Sequence, residues 1–312
     1  MDFRELQVFV TVAKLRSFRR AATALHLAQP TVSHQIRRLE MELGAQLFDR
    51  NPRPIILTTP GQAFLRHAIE ILDHVEQGKA EIRDLASSTL GSVAVGATQY
   101  LSYVEMPDLL HSFRSDHPGT SLQFRGGHSG EVRQMLLDGS VDVGFFFTSS
   151  ASPPPVPIET WLLREEKLVI IVSLSHPLAH RRNVSWSDVR YLDFIGVESS
   201  SAVGAVLGQI PQTAGFQLRT PFSSNEGGTL LPMVAKGLAA AFVPESLATA
   251  QADHVGYLTI DDHILNGALV LGWKVDAYRS RATLEFARRA RAAFSVVESP
   301  GDPPEARSIN HI

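Results

Sequence analysis

Val32, Ile36, Leu39 and Leu43 step by four, three and four residues, a helix period that marks one buried stripe. The segment is closed at both ends. Pro30 suits a first helical turn, where its missing N–H would have no partner anyway, and Gly44 offers a C-cap. Directly afterwards the prolines of Asn51-Pro52-Arg53-Pro54 forbid helix, so "QLFDRNPRPIILT" reads as two short strands around a tip. Upstream, Leu6, Phe9, Val10 and Ala13 form one helical face, and Ser17 is an N-cap for a short helix with Ala21, Ala22 and Leu25 inward. His26–Ala28 leaves room only for a tight connection. Three helices followed by a β-wing make a winged helix-turn-helix.

The third helix has an unusual front. At 100° per residue, Pro30, Ser33, His34 and Arg37 fall opposite the apolar stripe. A helix held by its back, with short side chains in front, can enter a major groove and bring its first turns close to base edges. Arg37 and Arg38 would then meet phosphates or a guanine. Arg50 and Arg53 would place guanidiniums on phosphate or in the minor groove.

Charge agrees with a polyanion-binding end. Residues 1–60 hold nine Lys and Arg against five Asp and Glu, while the whole chain stands at −3. At 312 residues and 44% hydrophobic, the chain is long enough for two or three domains that each bury a core. Cys is absent, which excludes disulfides, thiolate metal sites and thiol redox sensing. The start "MDFRELQVFV" has no basic n-region or long apolar h-region, and no apolar run is long enough for a membrane span. A cytoplasmic, non-membrane protein is the expectation.

"SFRRAATALHLAQPTVSHQIRRLEMELGAQLFDRNPRPIILTTPG" resembles the DNA-binding segment of the LysR-type transcriptional regulators of bacteria. The landmarks "AA…L", "QP..S.QI..LE..LG..LF.R" and "LT..G" run through residues 17–61 in order and without gaps. The resemblance implies contacts to double-stranded promoter DNA from Gln29, Pro30, Ser33, His34, Arg37 and Arg53; Thr31, Arg38 and Arg50 join them on position. His34 stands where relatives often carry a longer basic side chain.

Thr59 and Pro60 open a long helix. Phe64, Ala68, Ile71, Val75, Gly78, Ile82 and Leu85 alternate spacings of four and three, a heptad seam that wants a partner helix. A second copy of the same helix is the simplest partner; the other reading is an amphipathic helix lying on its own domain. The resemblance implies dimerisation through this helix, a chain that works as a dimer or tetramer, and RNA polymerase as a further partner. "SSTLGS", 87–92, is a small polar break and the natural hinge.

Beyond it strand and helix patterns alternate: "SVAVGA", Val104–Phe113, "SLQFRG", Val132–Leu137, "VDVGFFF". That rhythm predicts a mostly parallel sheet with crossover helices. "EKLVIIVS" opens a second unit running through "LDFIGV", a helix near 201–210 and "AAAFVP"; "ALVLGWKV" and a helix over 281–296 return to the first. The family resemblance implies a periplasmic-binding-protein-like α/β effector domain of two lobes joined by two crossing strands. The expected domains are a winged helix-turn-helix at 1–59, a linker helix and hinge at 60–90, and an effector domain at 91–300. Lobe I takes 91–163 and 268–300, and lobe II takes 164–267. The Pro- and charge-rich 301–312 is expected to be a disordered tail.

Ligands of open α/β sheets sit beyond the carboxyl ends of strands, near helix N-termini. Thr98, Gln99 and Tyr100 follow the first strand, His128 and Ser129 the second, and Ser199 and Ser200 follow "FIGV". The resemblance adds Phe146, Asn225 and Val243 to this cleft. The expected effector is a small organic or aromatic acid with its carboxylate near Thr98 and Ser200 and its body against the phenylalanine strand; no cofactor or metal is implied. Enzyme signatures are wanting: Ser129 in "GGHSGE" lacks nucleophile-elbow spacing, and "HPLAH" has Pro177 between its histidines and no metalloprotease glutamate. Two rivals remain at this point, an effector-independent DNA-binding protein and a solute-binding protein.

Overall fold

The computed structural model describes residues 1–49, 54–86, 90–224 and 227–295. Arg50, Arg53, Asn225, residues 87–89 of the expected hinge and the expected disordered tail lie outside the described residues, as does the side chain of Leu85. Among the described residues no helix is long and apolar enough to cross a membrane.

The N-terminal unit is α1 (Phe3–Leu15), α2 (Phe18–Ala24), α3 (Gln29–Leu43) and a wing of β1 (Phe48–Asp49) paired antiparallel with β2 (Ile56–Leu57). Local chemistry sets its corners. Asp2 caps α1 in a box with Glu5, the Ser17 hydroxyl accepts from the Arg20 N–H at 3.3 Å, and Gly44 ends α3 at φ 65°, a conformation an L side chain enters only at a cost. Val32, Ile36 and Leu39 are fully buried with Phe9, Phe18 and Phe48. The stripe stops there: Leu43, at the last helical position, is 38% exposed.

α4 (Thr59–Ala86) begins inside this same core. Thr58 provides the cap, its hydroxyl accepting from the Gly61 N–H at 3.1 Å, one residue before the expected Thr59. Ala68 is fully buried and Phe64, Leu65, Ile69 and Leu72 pack on the core beside it. Phe64 and Ala68, expected on a dimer seam, therefore belong to the winged-helix core, because α1 crosses α4 there and Phe64 stacks against Phe9. The exposed part of the seam is Ile71, Val75 and Ile82, at 40%, 37% and 68%. The reading of an amphipathic helix lying on its own domain holds for the first part of this helix, and the expected seam is left with its exposed residues.

The rest is α/β. In order come β3 (Ser92–Thr98), α5 (Gln99–Val104), α6 (Met106–Asp116), β4 (Ser121–Gly127), α7 (Ser129–Leu137), β5 (Val143–Thr148) and the long β6 (Ile158–Ser173). Then follow α8 (Trp186–Val189), β7 (Asp193–Gly196), α9 (Ala202–Leu207), α10 (Ile210–Ala214), β8 (Arg219–Ser223), α11 (Gly227–Ala235) and β9 (Ala241–Pro244). α12 (Glu245–Ala250), β10 (Val255–Leu258), β11 (Asn266–Lys274) and α13 (Arg281–Ser295) complete the chain. The helix expected over 104–113 is α6, which starts at Met106 with Pro107 in its first turn, and the short α5 precedes it.

The sheet is mixed, where the alternation alone predicted mostly parallel pairing. β3 pairs parallel with β4 and β5, and β7 with β8. β11 runs antiparallel to β5 and β6, and the far end of β6 runs antiparallel to β9 and β10. Strand β6 is thus shared: residues 158–167 pair with β11 and residues 168–173 with β9 and β10. The two largest cores of this part follow, one around Val95, Phe113, Phe145 and Phe286, the other around Ile170, Phe194, Phe242 and Leu258. This is the curled two-lobe arrangement of periplasmic-binding-protein-like domains.

Candidate DNA interface and ligand cleft

On α3 the buried back holds the front outward. Gln29, Pro30, Thr31, His34 and Arg37 are exposed and Ser33 is half-buried, while Val32 and Ile36 between them are fully buried. The N-cap Ala28 has no side-chain bond to the first turn; Pro30 carries no N–H, and the Thr31 and Val32 N–H groups donate to the Ala28 carbonyl at 3.0 and 3.3 Å. Arg38, also exposed, is paired within the head. Its Nε lies 2.6 Å from Glu5 Oε1 and its Nη2 3.2 Å from Asp2 Oδ2. Glu5 is only 1% exposed and needs a cation, so Arg38 folds back across α1. Arg38→Ala is expected to cost about 1–3 kcal/mol of stability by leaving that carboxylate short of its partner. A urea titration that showed no loss would return Arg38 to the DNA face.

Between the lobes lies a chamber of about 110 Å³. Lobe I contributes Thr98, Gln99 and Tyr100 from the end of β3, His128 and Ser129 from the end of β4, and Phe147 from β5. Lobe II contributes Glu198, Ser201, Val203, Leu230, Phe242 and Val243. Six expected residues therefore come together: Thr98, Gln99, Tyr100, His128, Ser129 and Val243.

Three do not. Phe146 turns to the opposite face of β5 and packs with Val132, Leu136 and Val270, and its neighbour Phe147 takes the cleft position. Ser199 and Ser200 are exposed outside the chamber. The third serine of that run, Ser201, faces inward because it is the N-cap of α9, accepting from the Gly204 N–H at 3.0 Å. Sequence reading missed Glu198, Leu230 and Phe242; the only signal for Glu198 was its place just after "FIGV".

The lobes touch on both sides of the chamber. His128 Nδ1 accepts from the Gly130 and Glu131 N–H groups at 3.1 and 3.3 Å, so the proton of the neutral ring sits on Nε2. That nitrogen lies 3.6 Å from Glu198 Oε2 across the cleft. On the other side the Gly227 N–H donates to Gln99 Oε1. Thr98 is 5% exposed and its hydroxyl has no hydrogen-bond partner.

Beneath Tyr100 the lobes share an ionic knot. Arg164, on β6, pairs with Glu105 and at 3.0 Å with Glu166, and its Nη2 donates to the Ser246 hydroxyl at 3.0 Å. Ser246 in turn donates its N–H and its hydroxyl to Glu166 at 3.1 and 2.9 Å. Burial works against the arginine's charge, but the Glu105 bond and charge, then Glu166, outweigh it and hold its pKa above the usual value. The adjacent Tyr100 hydroxyl is pushed far up, first by burial and then by Glu166.

Residues 3–62 match the model of the bacterial regulatory helix-turn-helix protein, lysR family, and residues 86–295 match the LysR substrate binding domain. The HTH-type transcriptional regulator YybE of Bacillus subtilis is 31% identical over 78% of this chain and 83% of its own. Among solved structures, the LysR family regulator CbnR superposes with a TM-score of 0.63 at 24% identity, covering 94% of this chain and 99% of its own. The full-length CbnR complex with its target DNA gives 0.59 at 23%, covering 94% and 100%. With a helix-turn-helix at one end and a two-lobed substrate-binding fold at the other, the chain belongs to the LysR family of transcriptional regulators, built to bind DNA and a small-molecule effector.

Proposed function

We propose that Gln29, Pro30, Thr31, Ser33, His34 and Arg37 form the DNA-contacting face of a dimer, joined by Arg50 and Arg53 on sequence grounds. The observation that carries this is the exposed, short-chained front of α3 laid over a fully buried back. The solved complex of CbnR with its target DNA supports the same use of the fold. The exposed Ile71, Val75 and Ile82 are the dimer seam, and the chamber between the lobes is the effector site. The working units are a winged-helix head that extends past residue 59 into α4, the outer half of α4 as linker, and an effector domain from residue 91. RNA polymerase, a tetramer and a cytoplasmic, non-catalytic role rest on the family alone.

Arg37 should add charge at the DNA backbone. Arg37→Ala is expected to weaken binding to all duplexes and to flatten the log–log salt dependence by about one unit, read by fluorescence anisotropy across a salt series. An unchanged slope would place Arg37 off the DNA. The effector-independent reading is tested by whether any small molecule raises the melting temperature of the full chain.

A further inference from the structure

We propose that lobe I carries a docking point for this chain's own winged-helix head, Asp138 for Lys14, and that the contact fixes the direction in which the head presents α3. The orienting role rests on the reading of the head as the DNA-contacting part of a dimer.

The contact joins two units whose residues lie 124 positions apart. Lys14 is in the last turn of α1, and its Nζ lies 3.2 Å from Asp138 Oδ2. Asp138 is the C-cap of α7. A helix C-terminus carries partial negative charge, so a carboxylate there is disfavoured unless a cation joins it. α7 has no basic residue in its own last turn. Its one arginine, Arg133, donates to the Ser152 and Pro153 carbonyls at 3.2 and 3.3 Å. The head supplies the cation.

The acceptor is prepared for it. Asp138 Oδ1 accepts from the Ser140 N–H at 3.1 Å and from the Ser140 hydroxyl, which fixes the carboxylate and leaves Oδ2 for the ammonium. The Asp138 side chain is 14% exposed and that of Lys14 53%, so the lobe holds a covered acceptor and the head brings a flexible donor. α7 is itself anchored, with Val132 and Leu136 buried against Phe146 and Val270. The docking point therefore moves only with lobe I.

Docking leaves the reading face open. Gln29, Pro30, His34 and Arg37 stay exposed while the pair is made, so the contact orients the head without masking it. A half-exposed ion pair is weak, worth a factor of about two to five. Its partners are already tethered in one chain, so a weak pair is enough to favour one orientation. Two heads restrained in this way have less freedom to lose on meeting two half-sites.

A water-soluble carbodiimide joins an amine to a carboxylate that touches it, and tests the contact in the full chain. Peptide mass spectrometry should find Lys14 linked to Asp138. Dimers mixed from plain and isotope-labelled chains should show the link only within one label. Lys14→Arg should lose the link, having no primary amine, yet keep the ion pair. Orientation is read at low salt with a two-half-site duplex that the full chain selects from a random pool, and with one half-site cut from it. Asp138→Asn keeps an oxygen for Ser140 and relieves the helix end, so the fold should hold. It should weaken two-site binding by about two- to fivefold and should not weaken the half-site, while Lys14→Arg leaves both as they were. No link, or a link between labels, overturns the docking. A two-site affinity indifferent to Asp138→Asn, or an equal loss on both duplexes, overturns the orienting role. If the unaltered chain gains nothing from the second half-site, the dimer reading has failed and the orienting role with it. A missing link with that gain intact is a failure of the docking alone.

Discussion

Arg164→Met is expected to lower the unfolding free energy of the full chain by about 3–5 kcal/mol. Glu166 is almost wholly buried, and its charge is tolerated there because Arg164 and the two groups of Ser246 surround it. Removing the cation leaves that carboxylate, and Glu105 beside it, with burial and no opposing charge. The control is Arg164→Met combined with Glu166→Gln, which removes both charges. The pair should recover a good part of the loss, giving a coupling energy of the size seen for contacting ion pairs. Urea denaturation of the four proteins decides it. Single-variant losses that simply add would mean that the knot is ornamental to the lobe junction.

Ile71→Asp is expected to have its largest effect on DNA. The residue lies on the exposed face of α4, turned away from the core on which its neighbours Ile69 and Leu72 pack, so the winged-helix head should stay folded. At a helix–helix seam the aspartate would be an unpaired buried charge. Sedimentation should show dissociation. Affinity for a two-half-site duplex should fall by about 100-fold or more, the gain that tethering supplies, while affinity for one half-site stays put. A dimer that persists with full two-site affinity would move the interface elsewhere.

The winged-helix head was legible because its signals are local. Ser17, Pro30 and Gly44 punctuate helices within a few residues of themselves, and the stripe Val32, Ile36, Leu39 needs no distant partner to be read. The ion pair of Arg38 with Glu5 was not legible, because it depends on Glu5 being buried, and nothing near either residue announces that. The cleft was half legible for a related reason. Strand ends at Thr98 and His128 can be located from periodicity, but alternation gives parity without phase. Whether Phe146 or Phe147 faces the ligand is fixed by the pairing of β5 with β11, Phe146 opposite Val270, more than a hundred residues away. The run Ser199–Ser201 poses the same problem, settled by which serine caps α9. The mixed sheet was hidden too, because the returning strand β11 looks, in one dimension, like any other apolar run.

The burial of Phe64 and Ala68 in the winged-helix core makes head and linker a single lever. α4 has 28 residues and, at about 1.5 Å each, is about 42 Å long. Two such levers hinged along Ile71, Val75 and Ile82 would behave as callipers. From Val75 back to Thr59 the arm is about 24 Å, so a change of about 10° in their crossing angle would carry a head by about 4 Å, roughly one base-pair step of duplex. The spacing between recognition helices would then be adjusted by rotation at the joint, with no refolding of the parts that read the bases.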